Sequence, residues 1–329
     1  MIPKEGYIDF KNVSLPCSCS IWYKISGPWP AVGASRPLLT LHGGPGYTHD
    51  YMLPLQDLCN APYNFTVIFF DQLGSGKSTH LRHRLLDYEF WSEEFFLDQV
   101  TAVVNYLGIQ HNYDLLGHSW GGMLATIHAA RQPQGLARLI VANAPVASIY
   151  WKEKYYEYRE LMPEPYRTIL KDPRTMEPKY QDALMIFYKR HFINLDDVPV
   201  ELKRSWKEIE EDPTASLSAK EKQAVLTIMS LSLDGRLGSD EFEMTGSLAN
   251  FTAVNDIQQI AAKTLVITGV NEGSDHEESI RIFKQIDGCI HVKFEGSTHF
   301  PHFEQRREFI DLIREFLGPR VVDDQIIQV

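Results

Sequence analysis

Six short apolar runs, separated by stretches of helical period, leave this chain very few ways to fold. Leu38-Leu39-Thr40-Leu41, Val67-Ile68-Phe69-Phe70, Tyr113-Asp114-Leu115-Leu116, Leu139-Ile140-Val141, Leu265-Val266-Ile267 and Ile290-His291-Val292-Lys293-Phe294 are nearly continuous in apolar character. Strands of a parallel sheet read this way because helices cover both of their faces. Between them, Phe96, Val100, Val103, Val104 and Leu107 recur at helical spacing after Ser92, and Gly108 follows at the position of a left-handed C-cap. Phe309, Ile310, Ile313, Phe316 and Leu317 repeat that period up to Gly318-Pro319. Strands alternating with helices predict an α/β fold with a mostly parallel, doubly wound sheet.

Ahead of these runs the pattern alternates. Tyr7, Asp9 and Lys11 oppose Ile8, Phe10 and Val13, and beyond Pro16 the stretch Ile21-Trp22-Tyr23-Lys24-Ile25 continues it, which predicts an antiparallel hairpin. From about Ser148 to Gly246 the strand signal gives way to Tyr-, Trp- and Glu-rich helical stretches punctuated by Pro163, Pro165, Pro173, Pro178, Pro199 and Pro213. Apolar strands resume at Leu265, so this is an inserted helical lid inside one domain. The expected division is a core of residues 1–147 and 247–318, a lid of 148–246 and a C-terminal tail of 319–329. With 329 residues, 44% of them apolar, the chain can bury a core of that size.

Charge and cysteine usage exclude several function classes. A formal net charge of −11 without a basic block argues against nucleic acid as a partner. No run approaches the roughly 20 apolar residues that span a bilayer, and Met1 to Gly6 lack an apolar signal core, so no membrane partner and a cytoplasmic location are expected. Cys17, Cys19, Cys59 and Cys289 contain one close pair and no second pair to complete a zinc set; they read as thiols. Gly74-Ser75-Gly76-Lys77-Ser78 resembles the end of a phosphate loop, but Asp71 stands where the first glycine is required. His299-Phe300-Pro301-His302 lacks the glutamate and spacing of a zinc protease helix. Neither a metal nor a cofactor is expected.

The chemistry points to Ser119. Gly117-His118-Ser119-Trp120-Gly121 directly follows the strand Tyr113 to Leu116 and precedes a helical run, Met123 to Ala130. A nucleophile lifted clear of a sheet edge sits on such a strained strand-to-helix turn, which needs small neighbours. An oxyanion needs two preorganised donors. The Trp120 amide at the head of the helix is one, and the glycine loop His42-Gly43-Gly44-Pro45-Gly46, at the end of Leu38 to Leu41, supplies the other. A serine hydroxyl also needs a base, and the base a carboxylate. His299, after the strand Ile290 to Phe294, is the base by placement, with His302 as competitor and His118 as a packing residue. In the loop Gly269-Val270-Asn271-Glu272-Gly273-Ser274-Asp275, both Glu272 and Asp275 qualify as the acid.

Leu39-Thr40-Leu41-His42-Gly43-Gly44-Pro45-Gly46, Asp71-Gln72-Leu73-Gly74-Ser75-Gly76-Lys77-Ser78 and Leu116-Gly117-His118-Ser119-Trp120-Gly121-Gly122 together resemble the proline iminopeptidase family of α/β-hydrolases. The resemblance runs from the hairpin to the last helix. It implies the α/β-hydrolase fold, Ser119 as nucleophile, His299 as base, and Gly44 with Trp120 as oxyanion donors, Gly43 standing beside them. It further implies cleavage of the amide after an N-terminal amino acid, in a small peptide or amino-acid amide. The family's acid loop, Gly-x-x-Asp-Glu, aligned from Gly269 puts the triad acid on Glu272 and replaces an amine-binding glutamate by Gly273. A second amine-binding glutamate, before a Thr-Gly pair, falls on Glu241. The Gly273 departure motivates an alternative, an esterase, lactonase or amidase acting on a specialised small molecule. A silent binding protein on the same fold is the remaining alternative. Nothing in the sequence sets the oligomeric state.

Overall fold

The computed structural model describes residues 2–15, 17–31, 36–171, 178–216 and 246–318, so Glu241 and the 319–329 tail lie outside the described residues. β1 (Glu5–Phe10) and β2 (Cys19–Ser26) form the antiparallel hairpin, with Glu5 opposite Lys24 and Phe10 opposite Cys19. β3 (Leu38–Leu41), β4 (Val67–Phe70), β5 (Tyr113–His118), β6 (Leu136–Ala142), β7 (Lys263–Gly269) and β8 (Ile290–Phe294) run parallel to one another, and β2 joins β4 antiparallel. The sheet order is β1-β2-β4-β3-β5-β6-β7-β8.

Two details of the sequence reading change. Val13 is fully exposed, because β1 ends at Phe10 and the Asn12 side chain turns the chain by accepting from the Ser14 amide at 2.9 Å. β8 is an edge strand in which only Phe294 is buried, so its apolar run covers one side.

Helices coat both sheet faces, as alternate residues of each strand require. Leu39, Leu41, Ile68, Phe70, Leu115, Val141 and Val266 pack one face under α1 (Glu93–Tyr106), which is capped by the Ser92 hydroxyl, and α2 (Trp120–Ala130). Leu38, Val67, Phe69, Leu116, Ile140, Leu265 and Ile267 pack the other. Among the described residues four helices follow β6: α3 (Ser148–Leu161), α4 (Tyr166–Leu170), α5 (Pro178–His191) and α6 (Val200–Glu211). Their Tyr155, Leu184, Phe187, Leu202 and Trp206 join this second core rather than closing one of their own. After β7 come α7 (Glu277–Phe283), α8 (Pro301–Glu304) and α9 (Arg306–Leu317), whose buried Phe309, Ile310, Ile313, Phe316 and Leu317 complete the second face. No helix among the described residues is long and apolar enough to cross a membrane.

The resemblance of residues 74–78 to a phosphate loop has an internal explanation. The turn closes on the buried Asp71 carboxylate, which accepts from the amides of Lys77 at 2.9 Å and His49 at 2.8 Å. Burial would raise its pKa, but hydrogen bonding to the His49 ring and that ring's charge hold it below the ordinary range. The anion this turn binds is its own.

Connections from β3 run toward β4, and those from β5 toward β6, so chain direction reverses between the neighbours β3 and β5. The loops leaving the carboxyl ends of parallel strands at such a switch point form a crevice. His42, Ser119, Asn143, Glu272 and His299 all lie on those loops.

Candidate active site

Ser119 links β5 to α2 with φ 56° and ψ −126°, a backbone state costing about 1–3 kcal/mol outside glycine. Its surroundings hold it there. The Ser119 amide donates to Ala142 O at 2.9 Å, and its carbonyl accepts from the amides of Gly122 and Met123 at 2.8 and 3.1 Å. A Cβ on Gly117 would fall 2.0 Å from the Gly121 carbonyl oxygen, and one on Gly121 would fall 2.1 Å from that of Leu41. Both flanking glycines are therefore steric necessities of the turn.

Nδ1 of His299 faces Glu272 Oε2 at 3.2 Å, and both side chains are buried. The imidazole stacks on Phe192 and meets Trp151 edge to face, with centroids 5.1 and 4.9 Å away. Glu272 Oε1 accepts from Gly269 N–H and Asn143 Nδ2, each at 3.3 Å, and from the Ser274 hydroxyl; Oε2 also accepts from Ser274 N–H at 3.0 Å. Complete burial outweighs these donors and pushes the carboxyl up to about 7. Asp275, the other candidate acid, pairs instead with Lys293 at 2.7 Å. His302 is buried against His118, Tyr51 and Phe303, and its Nε2 has no hydrogen-bond partner among the described residues.

The glycine loop is more constrained than its sequence suggests. Gly43 N–H donates to Tyr51 Oη at 2.6 Å, which removes Gly43 from the expected oxyanion donors because its hydrogen is already engaged. Gly44 follows with φ 112°. The Trp120 N–H lies in the first turn of α2, where no intrahelical acceptor exists. Gln72 clasps the two segments: its Nε2 donates to His42 O at 2.8 Å, and its Oε1 accepts from the Trp120 indole N–H at 3.0 Å. The Trp120 and Phe300 side chains are buried in the core.

His118 does more than pack. Its Nδ1 lies 3.0 Å from Tyr51 Oη and its Nε2 lies 2.8 Å from the His299 carbonyl oxygen. Since that carbonyl only accepts, Nε2 carries the proton; burial holds the ring neutral by driving its pKa well below the usual value, so Nδ1 accepts from the Tyr51 hydroxyl.

Further side chains escaped the sequence reading. Asn143, at φ 50° just past β6, joins the acid and base loops by donating to Glu272 Oε1 and, at 3.1 Å, to Thr298 O. The Glu304 carboxylate accepts from the Thr298 amide and the hydroxyls of Ser297 and Thr298, each at 2.7 Å, and so fixes the chain just before His299. Helix α5 grips both loops at its end: His191 Nδ1 donates to Asn271 O at 2.8 Å, and Phe192 O accepts from His299 N–H at 3.1 Å. The one sequence signal for Asn143 and Gln72 is their place at the carboxyl end of a buried strand.

A hydroxyl at a helix N-terminus, an imidazole oriented by a buried carboxylate, and loop amides beside them are the parts acyl transfer requires. Among the described residues no group of three or more His, Cys, Asp or Glu side chains is placed to hold a metal ion.

The profile of the alpha/beta hydrolase fold family matches residues 36–305. The chain is 30% identical to a proline iminopeptidase of Saccharolobus solfataricus, over 95% of this chain and 92% of that protein. It is 26% identical to one of Thermoplasma volcanium, over 97% and 98%. Among solved structures, VinJ superposes with a TM-score of 0.82 at 30% identity, over 95% of this chain and 97% of its own. The proline iminopeptidase of Mycobacterium smegmatis has the same TM-score of 0.82 at 29% identity, with coverage of 95% and 97%.

Proposed function

The chain belongs to the proline iminopeptidase family of α/β-hydrolases, and on that premise we propose that it is a serine hydrolase cleaving the amide bond after an N-terminal amino acid. The substrates are short peptides or amino-acid amides, and the route is an acyl-enzyme. The observation that carries this is the buried pair of His299 Nδ1 and Glu272 Oε2, 3.2 Å apart, at the same sheet edge as the forced Ser119 turn. Ser119 Oγ attacks the scissile carbonyl as His299 Nε2 takes its proton. Glu272 orients the ring and offsets the imidazolium charge, while the Gly44 and Trp120 amides hold the oxyanion. His299 returns the proton to the departing amine, and water then releases the acyl group by the same steps. The role proposed for the lid is to bound the acyl pocket, and that proposed for Glu241, outside the described residues, is to contact the substrate ammonium group.

One observation favours a second reading. Position 273 has no room for a side chain, since a Cβ there would fall 2.5 Å from ring atoms of Trp151, which also abuts His299. The wall nearest the base is thus aromatic where an amine-binding carboxylate was expected. This suits an esterase, lactonase or amidase whose acyl group carries no free amine. Alanine and proline anilides with free and with acylated nitrogen separate the two. For the aminopeptidase, kcat/KM on the free-amine form is expected to be at least about 10-fold higher, the worth of one retained ionic contact. Equal rates would transfer the assignment to the second reading.

The acid–base pair sets the pH dependence. Protonated Glu272 has no charge with which to offset an imidazolium, so kcat falls as pH drops through the pKa of the pair. Because burial lifts Glu272 to about 7, the acid limb of kcat is expected near neutrality, as a property of the coupled Glu272–His299 pair. A pH–rate profile flat from pH 8 down to the ordinary carboxylate range near about 4.5 would contradict this arrangement.

A further inference from the structure

Three loops of the site are tied by one continuous chain of hydrogen bonds. Gly43 N–H in the glycine loop donates to Tyr51 Oη at 2.6 Å; the Tyr51 hydroxyl donates to His118 Nδ1 at 3.0 Å; His118 Nε2–H donates to the His299 carbonyl oxygen at 2.8 Å. With the buried His118 ring neutral, the donor and acceptor roles follow from the ends, since an amide can only donate and a carbonyl can only accept. Tyr51, His118 and His299 are all buried, so water cannot replace a missing member without a cavity. His118 immediately precedes Ser119, and the Cβ of Ser119 lies 2.9 Å from where a Cβ of Gly43 would be. The chain therefore passes through the residues adjoining the nucleophile, the oxyanion donor Gly44 and the base.

We propose that Tyr51 and His118 are positioning residues for acyl transfer, holding the oxyanion loop, the Ser119 turn and the His299 loop in mutual register. The proposal rests on the assignment of Ser119 and His299 above. Neither side chain needs to touch substrate. Tyr51 holds the glycine loop by the amide of Gly43, directly before the Gly44 amide that the mechanism assigns to the oxyanion. His118 holds the main chain of the base rather than its ring, so it acts on the base through the loop that carries it. Packing alone would not require this polarity: Tyr51 also contacts Tyr47 and Phe300 through its ring, and phenylalanine would satisfy those contacts.

Tyr51→Phe preserves the ring and removes both links. It is expected to lower kcat about 10- to 100-fold with KM changed less than about threefold, since small misplacements of catalytic groups have effects of that size. The rate at which a fluorophosphonate labels Ser119 should fall in parallel. His118→Gln can still present an N–H to the His299 carbonyl, so it should retain about 10-fold more kcat than His118→Leu. In wild-type enzyme, 15N NMR of labelled imidazoles should find His118 neutral with its proton on Nε2. Folded Tyr51→Phe and His118→Leu enzymes with wild-type kcat would overturn the proposal, as would equal loss in the Gln and Leu variants. An Nδ1–H or imidazolium form of His118 in the wild type would overturn it without any variant having to fold. Failure of the underlying assignment looks different: turnover would then persist in Ser119→Ala, whatever the Tyr51 and His118 variants do.

Discussion

Ser119→Ala is expected to lower kcat by about 10⁴- to 10⁶-fold while leaving the melting temperature near that of wild type. The Ser119 side chain makes no capping hydrogen bond to α2, and the turn is held by main-chain contacts that alanine retains. Alanine also tolerates φ 56° about as poorly as serine does, so the strain is common to both. The loss should therefore be chemical. Steady-state turnover of amino-acid anilides measures it, and covalent labelling by a fluorophosphonate should vanish with it. A variant retaining a tenth of wild-type turnover would remove Ser119 as nucleophile, and the acyl-enzyme with it.

Glu272→Gln is expected to lower kcat about 10³- to 10⁴-fold, against less than about threefold for Asp275→Asn. The carboxylate of Glu272 accepts from the amides of Gly269 and Ser274, the Ser274 hydroxyl and Asn143, and it faces His299. An amide has only one accepting oxygen, so glutamine must turn its NH₂ toward a donor on one side or the other. If it faces His299, the ring is driven to the wrong tautomer; if it faces Gly269 and Asn143, buried donors oppose each other. Asp275 pairs with Lys293 at 2.7 Å, and its replacement should trim local stability only. Comparing kcat of the two purified variants decides the matter. The reverse ranking would move the acid role to Asp275.

Much of the fold was legible because its signals are local. Runs such as Val67 to Phe70 are apolar on both faces, and the spacing of Phe309, Ile313 and Phe316 declares a helix face without reference to anything distant. The same logic misled where the partner mattered. Ile290 to Phe294 reads like a central strand, yet it lies at the sheet edge, because neighbour number is not written in a five-residue pattern. Val13 fits the alternation of β1, but the Asn12 side chain ends the strand first. At the site, the Ser119 turn was readable from the glycine spacing, since Gly117 and Gly121 answer to sterics within a few residues and one adjacent strand.

By itself, then, the sequence determined the strand and helix periods, the strand-to-helix turn around Ser119, and the loops that carry Gly44, Glu272 and His299. Only the tertiary structure decided which groups on those loops meet. Glu272 and Asp275 are chemically equivalent in a string of letters; the position of Lys293 separates them. Gly43 and Gly44 look interchangeable until Tyr51 engages the amide of Gly43. His118 reads as a spectator, yet it joins Tyr51, 67 residues before it, to His299, 181 residues after it. Steric demands on the backbone act between near neighbours in the chain and leave a pattern there. A hydrogen bond requires two groups within about 3 Å in space and imposes nothing on their separation in sequence, so it becomes visible only once the sheet has brought the loops together.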